Sequence, residues 1–185
     1  MSRIVLLNGC SSSGKSSLIR AFQGMSQSFW LATGIDAFID MVPQHKMEHY
    51  FVQIPGHNRY GPTMRVENTP AGVTFFGQLP SFVQLCADRG HDLIIDEVLF
   101  DEQTLALYRS VLREHQFLYV GVLCELAQLQ QREIMRKDRK PGLANDQFHR
   151  IHEGIRKNYD FTVDTTHLLP KNAAEKLLEW VEKRQ

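Results

Sequence analysis

A parallel β-sheet with helices on both faces is the fold class this sequence predicts, and three observations carry it. Short β-rich apolar runs alternate with longer helical patterns along the whole chain. The first apolar run feeds a Gly/Ser loop that opens directly into a helix. A later run, Leu93-Ile-Ile, ends in the paired carboxylates Asp96 and Glu97.

Five strands are predicted, over residues 4–8, 29–33, 92–96, 117–123 and 161–164. The first is a near-continuous apolar run, as expected of a strand covered on both faces. Helices are predicted over 15–22, 37–41, 75–89, 102–114, 127–136, 145–157 and 172–183. Pro80 must sit near the start or at a kink of its helix. Leu105, Leu107, Val111 and Leu112 form the inward side of the 102–114 helix. Asn145 or Asp146 is the expected N-cap of the next-to-last helix, and Ala173, Leu177, Leu178 and Val181 face inward in the last. Pro43, Pro55, Gly56, Gly61, Pro62, Pro70 and Gly72 punctuate residues 43–72, which are expected to hold loops and an irregular hairpin.

The 185 residues fit one domain, with an irregular acceptor-side segment near 43–82 and a short lid near 132–144. Twenty-one Lys and Arg balance 21 Asp and Glu. That zero net charge gives no reason to expect a nucleic-acid or anionic-membrane partner. Cys10, Cys86 and Cys124 make neither a CxxC pair nor a metal-finger spacing. With no run of about 18 apolar residues, no membrane is expected and a cytoplasmic protein is.

Gly9-Cys10-Ser11-Ser12-Ser13-Gly14-Lys15-Ser16 fits GxxxxGK[ST] at every fixed position, between a strand and a helix. Such a Walker A loop turns backbone N–H groups onto phosphate oxygens, helped by the helix N-terminus. Lys15 is placed to reach the β and γ phosphates, the Ser16 hydroxyl to hold Mg²⁺, and Ser17 to meet the α phosphate. ATP and Mg²⁺ are therefore the expected cofactors, and the fold sharpens to a P-loop NTPase resembling nucleotide kinases. Cys10 fills a free position of the loop and reads as a small filler.

Asp96 completes a Walker B pattern and is the expected carboxylate for Mg²⁺; Glu97 is a weaker candidate. No NKxD follows, which argues against a signalling GTPase. Asp36, just past the second strand, stands where the strand ends of such sheets line the ligand crevice. It reads equally as a general base for an attacking hydroxyl or as a helix N-cap. Asp40, one turn on, reads as solvated. Arg132, Arg136, Lys137, Arg139 and Lys140 form a basic cluster before Pro141 and Gly142, suited to a lid that neutralises a transferring phosphoryl group; a solvated helix end and an RNA-binding patch are the alternatives. His45, His49 and His57 read as solvated or substrate-facing, and Phe75, Phe76 and Phe82 as core residues, one or two of them lining a pocket.

Taken in blocks, the chain resembles the chloramphenicol phosphotransferase-like family of small P-loop kinases. The blocks are the opening Ile4-Val-Leu-Leu-Asn-Gly-Cys-Ser-Ser-Ser-Gly-Lys-Ser16, then Trp30-Leu-Ala-Thr-Gly-Ile-Asp36, Leu93-Ile-Ile-Asp-Glu-Val98 and Val120-Gly-Val-Leu-Cys124. The arginines from 132 to 139, His152-Glu-Gly154, Tyr159-Asp160 and Val163-Asp-Thr-Thr-His167 complete it. The resemblance implies ATP-dependent phosphorylation of a hydroxyl on a small molecule, with Asp36 as catalytic base and Arg132, Arg136 and Arg139 on the lid. Residues 43–82 depart most from the antibiotic-modifying member. Two other functions stay open: a kinase for a nucleotide, nucleoside or RNA end, and a non-catalytic ATP-binding regulator.

Overall fold

The structure is a computed structural model and describes residues 1–136, 141–155 and 159–184. Five strands form one parallel sheet: β1 (Arg3–Asn8), β2 (Trp30–Gly34), β5 (Asp92–Glu97), β6 (Gln116–Leu123) and β7 (Phe161–Asp164). Their spatial order is β2-β5-β1-β6-β7. A separate antiparallel hairpin pairs β3 (Phe51–Asn58) with β4 (Gly61–Asn68). The helices are α1 (Lys15–Met25), α2 (Ile35–Asp40), α3 (Pro70–Phe76), α4 (Leu79–Asp88), α5 (Glu102–Val111), α6 (Leu126–Met135), α7 (Leu143–Ile155) and α8 (Pro170–Glu182), with a 3-10 turn at Gln44–His49.

The two-residue period of the strands divides the core between the two faces of the sheet. Ile4, Leu6, Leu93 and Ile95 pack with Leu79, Val83, Leu105 and Tyr108 on one face. Val5, Leu7, Ile94, Val120 and Val163 pack with Leu18, Phe22, Ala173 and Leu177 on the other. A third group, Cys10, Cys124, Leu129, Ala144 and Ile151, fills the end of the molecule beneath α6 and α7. Among the described residues no helix is long and apolar enough to cross a membrane.

Four expectations are corrected. Residues 51–68 form a regular two-stranded ladder with a two-residue turn at Arg59 and Tyr60, rather than an irregular hairpin in loops. Its prolines are tolerated because the two-stranded ribbon has outer edges that need no ladder bond. The predicted 75–89 helix is two helices, broken at Gly77 and Gln78, and Pro80 sits in the first turn of the second, where its missing N–H costs nothing. On α5 it is Tyr108 that is fully buried, while Leu107 is 43% exposed. Helix α7 begins at Leu143, so neither Asn145 nor Asp146 caps it. Instead the buried carboxylate of Glu133 accepts from the Gly142 and Ala144 amides at 2.8 and 3.0 Å, two of the donors a helix start leaves open.

Candidate active site

Strand register brings the site together. In β1, Leu7 and Asn8 pair with Asp96 and Glu97 of β5, and Gly34 of β2 pairs with Asp96. The phosphate loop, the Walker B carboxylates and the Gly34-Ile35-Asp36 turn therefore emerge side by side at the strands' carboxyl ends. Gly34 is needed here because a Cβ would lie 2.1 Å from the Asp96 carbonyl oxygen.

The loop has the backbone of an anion cradle. Ser12 (φ 64°) and Gly14 (φ 95°) are left-handed, which turns successive N–H groups inward. The loop is gripped from outside: the Ser11 N–H donates to Gln147 Oε1 at 2.6 Å, and Thr165 Oγ1 lies 2.6 Å from Ser13 O. Ser12 Oγ and Ser13 Oγ are buried with no partner, two polar atoms a ligand oxygen would satisfy.

Lys15 is buried, and its Nζ donates to Gly9 O and Cys10 O at 2.7 and 3.0 Å. It also lies 3.4 Å from Asp96 Oδ1. The other carboxylate oxygen, Oδ2, accepts from Ser16 Oγ at 2.9 Å. Asp96 thus bridges the lysine and the serine of the loop. Glu97 points to the opposite face, where Tyr108 OH donates to Oε1 at 2.7 Å and Val98 N–H to Oε2 at 3.2 Å. Burial raises its carboxyl to about 7, against the lowering effect of those two bonds.

A cleft of about 710 Å³ lies over the loop. Ser11, Ser12, Ser13, Gly14, Lys15, Ser16, Ser17, Asp36, Asp96, Arg132 and Arg136 all line it. Leu168, Leu169 and Pro170 line it as well. Asp36 stands in the first turn of α2, not at its N-cap, which is Gly34. Asp40 is exposed. The Arg132 guanidinium donates to Thr165 O at 2.7 Å and to Ser13 O at 3.4 Å, so it ties the loop to the turn after β7. Arg136 ends α6 at the cleft wall. Lys137, Arg139 and Lys140, and with them the middle of the expected lid, lie outside the described residues.

Other expected positions have structural roles. Cys10 is buried, and desolvation pushes its thiol up to about 12, which suits a filler and not a nucleophile. His45, His49 and His57 are exposed. Phe76 is core, Phe75 is half-buried, and Phe82 is exposed; Phe75 and Phe82 pack on Phe38 at 5.6 and 5.9 Å between ring centroids. The carboxylate of Asp164 accepts from Thr166 N–H and Oγ1; those bonds hold it below the ordinary carboxylate range and build the turn that presents Thr165. His152 Nδ1 lies 3.1 Å from Tyr159 OH, which receives a bond from Asn8 Nδ2 at 2.9 Å. Gln147 and Glu133 were not legible as site residues: Gln147 acts on a backbone amide 136 residues away, and Glu133 on two amides of the next helix start, groups that no motif assigns to them.

Comparisons with known proteins bear on the family and the fold. The family model of chloramphenicol phosphotransferase-like proteins matches residues 2–182. A Mycobacterium tuberculosis protein carrying the name "Putative O-phosphotransferase" is 27% identical over 176 residues, spanning 89% of this chain and 75% of its own length. Among solved structures, a sugar kinase from a Janibacter species superposes with a TM-score of 0.68 at 19% identity, over 98% of this chain and 95% of its own. The Mycobacterium tuberculosis APS kinase, solved with AMPPNP and APS, gives 0.64 at 17% identity, over 98% of each chain. Shikimate kinase from Acinetobacter baumannii, solved with shikimate, gives 0.62 at 13% identity, over 100% of this chain and 96% of its own. Those three show the α/β P-loop kinase fold.

Proposed function

Starting from a chain that belongs to the chloramphenicol phosphotransferase-like family, we propose that it transfers the γ-phosphoryl group of ATP to a hydroxyl of a small molecule in the cleft over the phosphate loop. The observation that carries the proposal is the bridging of Lys15 and Ser16 by Asp96 in a cleft that Asp36 also lines. Mg²⁺ fits this donor set: it takes one or two protein oxygens and completes its shell with phosphate and water, and Ser16 Oγ and Asp96 Oδ2 are adjacent oxygens. When bound, Mg²⁺ supplies positive charge to the β and γ oxygens.

The protein's own groups divide the remaining work. The backbone amides of residues 12–16 hold the phosphates, the Ser11 amide being taken by Gln147. Lys15 exchanges its two carbonyl partners for phosphate oxygens. Asp36 accepts the proton of the attacking hydroxyl as the new O–P bond forms and the bond to the ADP oxygen breaks. Arg136 and Arg139 supply cations from the lid, and Arg132 keeps the loop and the β7 turn in register with it.

The acceptor enters from the side of α2 and the hairpin. Phe38, two residues from Asp36, belongs to a cluster with Phe75 and Phe82, and Tyr50 packs against Phe75 with 5.2 Å between ring centroids. An acceptor with an apolar or aromatic body fits that chemistry. Chloramphenicol is one such alcohol, and residues 43–82 decide whether it or another is preferred.

The test incubates the protein with γ-labelled ATP, Mg²⁺ and a panel of chloramphenicol, polyols, nucleosides and an RNA end. Labelled product from a small alcohol is expected. Lys15→Ala should lower its formation at least about a hundredfold. Label on a nucleoside or RNA end alone would move the function to that acceptor class, and normal nucleotide binding with no product would support a regulator.

A further inference from the structure

We propose that Gln147 is a positioning residue for the phosphate loop, and that α7 thereby ties the position of the hairpin to that loop. The inference rests on the loop being the nucleotide site. Gln147 is 7% exposed, and its Oε1 accepts from the Ser11 N–H at 2.6 Å. Ser11 is itself buried, at 3% exposure. The bond is buried, so losing Gln147 removes an acceptor from a largely desolvated amide. The glutamine therefore fixes the first half of the loop, while Thr165 and Arg132 fix Ser13 in the second half.

The same helix holds the hairpin. Asn145 Nδ2 donates to Pro62 O at 2.7 Å, and Asn58 Nδ2 donates to Asn145 O at 2.8 Å. Met64 N–H donates to Gly142 O at 3.0 Å, just before the helix starts. Tyr60, in the hairpin turn, packs against His149 with 4.6 Å between ring centroids. Asn145 is also gripped by Gln130 of α6, whose Nε2 donates to its Oδ1 at 2.8 Å. Helix α7 thus touches the hairpin at 145 and 149, with Gly142 just before it, and the phosphate loop at 147. A displacement of the hairpin that moves Asn145 must move Gln147 with it, because the two are fixed in one helical turn.

The experiment measures Mg²⁺·AMPPNP affinity by calorimetry on the full chain, with thermal unfolding recorded without nucleotide. Gln147→Met keeps the length of the side chain and removes the carbonyl. It should retain a cooperative melt and weaken AMPPNP about tenfold. The Ser11 amide should exchange with solvent at least about tenfold faster than in the wild type. Asn145→Leu, which removes the side-chain bond to Pro62 O and loosens the hairpin but leaves Gln147 intact, should weaken AMPPNP about threefold. Unchanged affinity in Gln147→Met overturns the positioning role, and unchanged affinity in Asn145→Leu overturns the link to the hairpin. If Gln147→Met does not melt cooperatively, Gln147→Glu keeps an oxygen for the amide. Ser11 protection retained there supports the role, and protection lost overturns it. A wild type that binds no AMPPNP removes the nucleotide site itself, whereas normal wild-type binding with an unaffected Gln147→Met removes only this inference.

Discussion

At Asp96 and Glu97 the two-residue period of a strand sends adjacent carboxylates to opposite faces of the sheet. Asp96 follows Ile94 toward α1 and reaches Lys15 and Ser16. Glu97 follows Ile95 toward α5 and meets Tyr108. The sequence pattern marks both residues equally, and strand parity separates them. A pH prediction belongs to Glu97. Its folded pKa of about 7 stands above the ordinary 4.5, so folding favours the protonated form. The stability it contributes is fully present below pH 4.5 and is lost as pH rises through about 7. Glu97→Gln should therefore flatten that decline, which is worth on the order of a few kcal/mol, in denaturant melts taken at pH 5 and pH 8. An equal decline in both proteins would show that another group carries it.

At the scale of elements, legibility followed the range of the forces involved. Strands β1, β5 and β6 carry apolar runs that need no partner to be recognised, and the Walker A loop is a contiguous motif with its strand and helix attached. The hairpin was less legible because its strands are mostly exposed or half-buried, with Val52 and Ile54 about 40% exposed. It carries little apolar alternation, and it is held by α7 from more than 80 residues away. The start of α7 was misplaced for a similar reason: its capping group is the side chain of Glu133 on α6. Removing that group should be costly. Glu133→Ala leaves two buried amides without their acceptor and should destabilise the protein by roughly 2–4 kcal/mol in chemical denaturation. Glu133→Gln, which keeps one carbonyl oxygen, should lose less. Equal stability of the alanine variant would mean that the start of α7 is held by other contacts.

Over the whole molecule, 21 cations and 21 anions sum to zero, and the fold places some of them opposite one another. The strand order puts β5 between β1 and β2, so Asp96 and Asp36 approach the phosphate loop from one side. Arg132 and Arg136 approach it from the other, at the end of α6. The closing block Val163-Asp-Thr-Thr-His167 serves this arrangement by shaping the turn that meets Ser13. We read the chain as one kinase unit with a hairpin on the acceptor side and a lid on the nucleotide side. What no local pattern could supply was the set of long-range grips on the loop, because each depends on which backbone atom the finished fold leaves within reach.

The central claim is that Asp36 receives the proton of an acceptor hydroxyl beside a nucleotide held by the phosphate loop. It is tested most directly by Asp36→Asn, measured for phosphoryl transfer to the best acceptor found and for AMPPNP affinity in the same preparation. The account predicts a rate lowered at least about a hundredfold, with AMPPNP affinity within about threefold of the wild type. Full transfer activity in Asp36→Asn would contradict it.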